Sequence, residues 1–114
     1  MHAVIRSYSG SGASELFDLL EKRKADVEDM MRSIEGFVAY DLVRTGSGGT
    51  SFTVCRDKAG ADESVRRARQ WIATNASDLR TDDPAVSEGP VIVHLNARET
   101  SADLSPAIPL STVS

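Results

Sequence analysis

Cysteine occurs once in the 114-residue chain, at Cys55. One thiol closes no internal disulfide and excludes a four-cysteine zinc site. That usage suits a reducing compartment, so a cytoplasmic protein is expected. Histidine occurs twice, at His2 and His94, and no carboxylate cluster accompanies either, so no metal site is expected. Basic residues are outnumbered, 13 against 17 acidic, and the net charge is −4. This balance gives no electrostatic reason to bind nucleic acid or an anionic membrane. No apolar stretch approaches the roughly 20 residues that span a bilayer. Met1–Arg6 lacks a basic segment followed by an apolar run, so no secretory signal is expected. Compact catalytic signatures are missing as well. Gly46–Gly49 has neither the lysine nor the following helix of a phosphate loop. Cys55 has no Cys-His-Asn companions and reads as a small buried hydrophobe.

What is present fits one domain with a modest core. Residues 2–8 alternate and are rich in β-branched and aromatic types, which predicts a strand. A long helix is expected over about 13–34, capped by Ser11 or Gly12. Its stripe is Leu16, Leu20, Val27, Met31 and Ile34, and Gly36 stops it. Phe37–Thr45 and Thr50–Asp57 read as a hairpin joined by Gly46–Gly49. A second helix is expected over about 61–79, capped by Gly60 or Asp62, with Val65, Ala68, Ile72, Ala76 and Leu79 buried. Asp83-Pro84 ends that pattern. A closing strand is expected over Pro90–Arg98, centred on Val91-Ile92-Val93-His94-Leu95. Residues 1–98 would form the domain. Residues 99–114, rich in Ser, Thr, Ala and Pro, read as a flexible tail or an arm resting on a partner.

The order β-α-β-β-α-β predicts an α+β, ferredoxin-like domain: a four-stranded antiparallel sheet with both helices on one face. Ile5, Val38, Leu42, Phe52, Val54, Val91, Val93 and Leu95 would make the uncovered face apolar. Such a face calls for a second copy, so a homodimer through the sheet is expected.

This layout resembles the dimeric α+β barrel superfamily, and in detail the antibiotic-biosynthesis monooxygenase-like domains. The resemblance is carried by the strand His2–Tyr8, the long first helix and the passage Ile34-Glu35-Gly36-Phe37-Val38-Ala39-Tyr40. The glycine-linked hairpin, the second helix with Trp71, and Val91-Ile92-Val93-His94-Leu95 complete it. It covers about 1–98. It implies a sheet-to-sheet dimer with a pocket between helices and sheet in each subunit. The superfamily includes cofactor-free oxygenases of aromatic polyketides, heme-degrading enzymes and proteins of no known activity. The heme-degrading branch uses an Asn, a Trp and a His. Trp71 is a positional counterpart of the Trp, but Ala73–Leu79 holds no histidine and the first strand no asparagine. Heme degradation is therefore not expected.

Tyr40, Trp71, Asn75 and His94 are the candidates for a pocket. Trp71 either seals the helix onto the sheet or stacks a flat ligand. Asn75, one turn on, either faces solvent or presents its amide to the same pocket. His94 is either hydrogen-bonded structure or a neutral base. Arg66, Arg67 and Arg69 read as a solvated face or an anion contact at the pocket mouth. Two functions follow as expectations. One is a monooxygenase without bound metal or flavin, acting on a small aromatic or polyketide-like substrate that supplies its own electrons. The other is a non-catalytic dimeric domain that binds a small apolar ligand or serves a stress role.

Overall fold

The computed structural model describes residues 1–97. The expected tail at 99–114, and the domain boundary at 98, lie outside the described residues. Four strands form an antiparallel sheet: β1 (His2–Tyr8), β2 (Phe37–Thr45), β3 (Gly48–Cys55) and β4 (Ala85–Pro90), in the order β2-β3-β1-β4. Three helices, α1 (Ala13–Lys22), α2 (Lys24–Arg32) and α3 (Lys58–Asn75), accompany it. The expected ferredoxin-like architecture is present.

Strand alternation decides which side chains meet the helices. On β1 these are Val4, Arg6 and Tyr8, all buried. Their register partners on β3 are Thr53, Ser51 and Gly49. Tyr40 and Leu42 pair with Thr53 and Ser51 from the other side and share that face. Phe37 also packs into the core, although plain alternation puts it with Ala39. A β-bulge between Phe37 and Ala39 resets the register there.

The core has two clusters. Tyr8, Leu16, Phe17, Leu20, Val27 and Ala76 form one. Val4, Met31, Ile34, Cys55, Ala61 and Ala68 form the other. Tyr40 packs against both, so it stands at their seam. Cys55 is fully buried, as a small hydrophobe is.

Several boundaries differ from expectation. The first helix is broken at Arg23 (φ −107°, ψ 28°). After Leu20 the next stripe positions hold Arg23 and Lys24, so no buried side chain keeps the helix straight there. The last helix starts earlier because Asp57, at the end of β3, is its cap. Its carboxylate accepts from the Gly60 amide at 2.9 Å, displacing Gly60 and Asp62 from that role. The hairpin turn is only Gly46-Ser47, and Gly48 and Gly49 belong to β3.

The closing strand is the largest correction. It is Ala85–Pro90, not Pro90–Arg98. Ser7 pairs with Ala85 and His2 with Pro90, and the Val91 amide then donates to the Met1 carbonyl at 3.0 Å. There β1 runs out, so Val91–Leu95 has no strand left to join. Ile92, Val93 and Leu95 are exposed. The face turned from the helices is consequently less apolar than expected. It carries Ile5, Val43, Phe52 and Val54, but also Ser7, Thr50, Asp41 and Ser87. Leu42 lies on the helix side.

Ion pairs tie the helices down. Arg44 on β2 reaches Asp18 of α1 at 2.7 Å. Glu63 on α3 is held by Arg66 at 2.7 Å and Arg67 at 2.8 Å, and Arg67 donates to Ser33 just past α2 at 2.5 Å. Hydrogen bonds from Arg66 and Arg67 lower the Glu63 carboxyl to about 2 from 4.5. Because the folded value is the lower one, this carboxyl's stabilisation is complete above 4.5 and is lost as pH falls toward 2. Glu63→Gln is therefore expected to flatten the acid limb of stability between those values in urea titrations, and an unchanged limb would contradict the assignment.

A second prediction concerns Gly49. A Cβ there would run into the Phe17 ring and the Val43 carbonyl. Gly49→Ala is expected to cost about 1–3 kcal/mol by overpacking. A thermal melt should show a drop of roughly 4–8 °C per kcal/mol; an unshifted melt would mean that Phe17 moves freely.

Candidate functional site

A cleft opens between the helices and the sheet, at the seam of the two core clusters. Tyr8, Tyr40 and Trp71 supply its aromatic surfaces. Leu20, Val27, Met30 and Met31 come from α1 and α2, Ala68 and Ile72 from α3. Its floor is the helix-facing side of the sheet, with Arg6, Ser51 and Leu42. The cleft contains about 320 Å³ of unfilled space, part of it open to solvent, but water-sized room is only about 20 Å³. One buried water needs roughly 10–15 Å³. A larger ligand therefore enters only if side chains yield. Met30 and Met31 are unbranched and adaptable. Trp71 is held by the Arg23 guanidinium, 5.7 Å from its ring centre, at the helix break.

Arg6 is the unusual group. Only 3% of it is exposed. Its Nη1 donates to the Tyr8 hydroxyl at 3.0 Å, while Nε has no partner. Among the described residues, no carboxylate comes within 4.0 Å of its guanidinium. A guanidinium keeps its charge at any physiological pH. Burying such a charge unpaired costs about several kcal/mol. The Ser51 hydroxyl beside it, and the Thr53 hydroxyl, are also buried without partners. Of these, Arg6 and Ser51 line the cleft, and unpaired polar groups at a cleft mark a place built for something other than packing.

Tyr40 stays a neutral phenol. Burial pushes its pKa above the usual phenol value, Arg6 partly opposes this, and Tyr8 adds to it. It can donate a hydrogen bond but is poorly suited to act as a base. Tyr8 is fixed edge-on against Phe17, with ring centres 5.9 Å apart.

Of the four sequence candidates, Tyr40 and Trp71 line the cleft. Asn75 and His94 do not. The Asn75 amide donates to the Trp71 carbonyl at 2.9 Å, bonding back onto its own helix. His94 lies beyond β4, because the strand that would have carried it ends at Pro90. Arg66 and Arg67 are engaged by Glu63, whereas Arg69 lines a second groove described below. Arg6 and Tyr8 were not singled out in the sequence. The signal was the period of β1, which puts Arg6 in step with Val4 and Tyr8. Among the described residues there is no group of three His, Cys, Asp or Glu placed to hold a metal ion. No described helix is long and apolar enough to cross a membrane.

No family model matches the sequence, and no curated protein matches it. Solved structures do match the fold. The heme-degrader MhuD from Mycobacterium tuberculosis is 16% identical, covering 84% of this chain and 100% of that one, with a TM-score of 0.60. SnoaB, a cofactor-independent oxygenase from Streptomyces nogalater, is 18% identical over 84% and 96% of the two chains, with a TM-score of 0.55. A dimeric ferredoxin-like protein from an uncultured marine organism is 10% identical over 84% and 96%, with a TM-score of 0.58. At these identities the likeness shows the fold. It is a ferredoxin-like fold.

The unpaired charge yields a stability prediction. Arg6→Met keeps the length of the side chain and removes the buried cation. It is expected to stabilise the protein by about 1–3 kcal/mol in urea unfolding. A loss of stability would show that the guanidinium supports the fold.

Proposed function

We propose that this chain is a homodimeric, cofactor-independent monooxygenase-like protein acting on a small aromatic or polyketide-like substrate in the cleft. The carrying observation is the cleft itself: three aromatic side chains around a floor of buried, unpaired polar groups. Apolar walls accept a flat ring, and a few convergent polar groups orient it. Trp71 stacks the ring, and Tyr40, kept protonated by its burial, donates to a ring oxygen. The substrate supplies the electrons. A ring CH₂ reacts with O₂ to give a carbonyl: one oxygen atom stays on carbon, and the other leaves as water with both hydrogens. The chain's residues hold and orient the substrate and keep bulk water from the reacting carbon. Likeness of fold to a cofactor-independent oxygenase supports this reading.

The homodimer forms through the outer sheet face, where Ile5, Val43 and Phe52 are each 36–42% exposed. The dimeric state of a protein with the same fold supports it. Sedimentation at micromolar concentration should give twice the 12.3 kDa chain mass; a monomer would overturn this part.

The catalytic part is tested by oxygen uptake with a panel of anthrones, whose ring CH₂ is the carbon to be oxidised. Uptake should accompany quinone formation. Trp71→Ala should lower it at least about tenfold, as loss of substrate orientation does, without altering the oligomer. A second reading, a non-catalytic binding domain, is favoured by the narrowness of the cleft, about 20 Å³. Saturable binding of the panel with no oxygen uptake would establish that reading instead.

A further inference from the structure

Arg6, Tyr8 and Ile72 line not only the cleft but also a second, outer groove of about 540 Å³. The groove lies between α3, which contributes Arg69 and Ala73, and the segment Thr81–Pro84 that leads into β4. Arg6 therefore lines two spaces, one narrow and apolar, the other wider and edged by the charged side chains Arg69, Asp82 and Asp83. We propose that the ligand is a planar aromatic molecule carrying a single oxyanion, which enters through the outer groove and seats its ionised oxygen on Arg6 and its ring in the cleft against Trp71. This deepens the reading of the cleft as a substrate site and rests on it.

Three observations carry the proposal. First, Arg6 is buried, charged and without a carboxylate within 4.0 Å among the described residues. Buried charges are ordinarily paired, so the missing counter-charge is the ligand's to bring. Secondly, Nε of Arg6 and the Ser51 hydroxyl are both buried without a partner, two N–H or O–H donors that one oxyanion would satisfy once cleft side chains yield to admit it. The planar guanidinium fork suits such an oxygen. Thirdly, the groove also contains Asp82 and Asp83. Their carboxylates oppose a polyanion such as a nucleotide, yet leave one anionic oxygen on an apolar ring acceptable. The groove is held in shape from beneath. Gly12, at φ 79°, lies so close to the Arg80 carbonyl that a Cβ there would collide with it, and a Cβ on Gly10 would meet the Asp82 carboxylate.

The oxyanion has two chemical sources, a carboxylate or an ionised ring hydroxyl. Calorimetric titration with 2-naphthoate, the neutral amide 2-naphthamide, and 2-naphthol taken across its own ionisation separates them. Quenching of Trp71, the sole tryptophan of the chain, reports binding in the cleft. Naphthoate, or naphthol once ionised, is expected to bind at least tenfold tighter than the amide. Arg6→Gln should abolish that preference, and Arg6→Lys should keep part of it. Equal binding of amide and anions by the natural protein would overturn the proposal, even if the variants failed to fold. So would a preference that survives in Arg6→Gln. An anion preference without oxygen uptake would defeat only the oxygenase reading. Oxygen uptake on neutral anthrones without any anion preference would defeat only this inference, and absence of binding by every probe would defeat both.

Discussion

A guanidinium enclosed between sheet and helices, with no acid to answer it, is the constraint around which this molecule is arranged. Arg6 reaches that position because β1 is one of the two inner strands, paired to β3 on one side and β4 on the other. A strand fixed on both edges cannot slip by one residue without turning Val4 and Tyr8 outward as well. The burial of two favourable side chains thus holds a third, unfavourable one in place. Ser51, opposite Arg6 on β3, is small enough to leave space above the sheet. Proteins retain such local costs where function requires them.

The helices leave a gap where this charge sits. The two core clusters lie on either side of it, and among the described residues only Tyr40 packs against both. Over the gap the chain places its adaptable parts: Met30, Met31, and Trp71 resting against an arginine at a helix break. Rigid sheet below and yielding side chains above are the division expected of a site that must hold a reacting group still and still admit its ligand.

Much of the fold was readable because periodicity is local. β1, the bounds of β2 and both faces of β3 followed from alternation, and the buried positions Ala68 and Ala76 followed from helical spacing. Failures came where a distant partner set the outcome. Val91–Leu95 has all the composition of a strand, but a strand exists only opposite another, and β1 ends at His2. His94 therefore sits beyond the sheet and outside the cleft. Asn75 failed differently: its amide found a nearer acceptor, the Trp71 carbonyl one turn back.

By itself the sequence determined the ferredoxin-like class, the bounds of β1 and β2, and the exclusion of an internal disulfide and a four-cysteine zinc site. These depend on residue type and on spacing within single elements. Tertiary structure decided where strands stop, which end of α3 faces the cleft, and that Arg6 has no acid beside it. The last is a fact about every other charged side chain at once, since an arginine is unpaired only when all the described carboxylates lie elsewhere. No window of sequence contains that information.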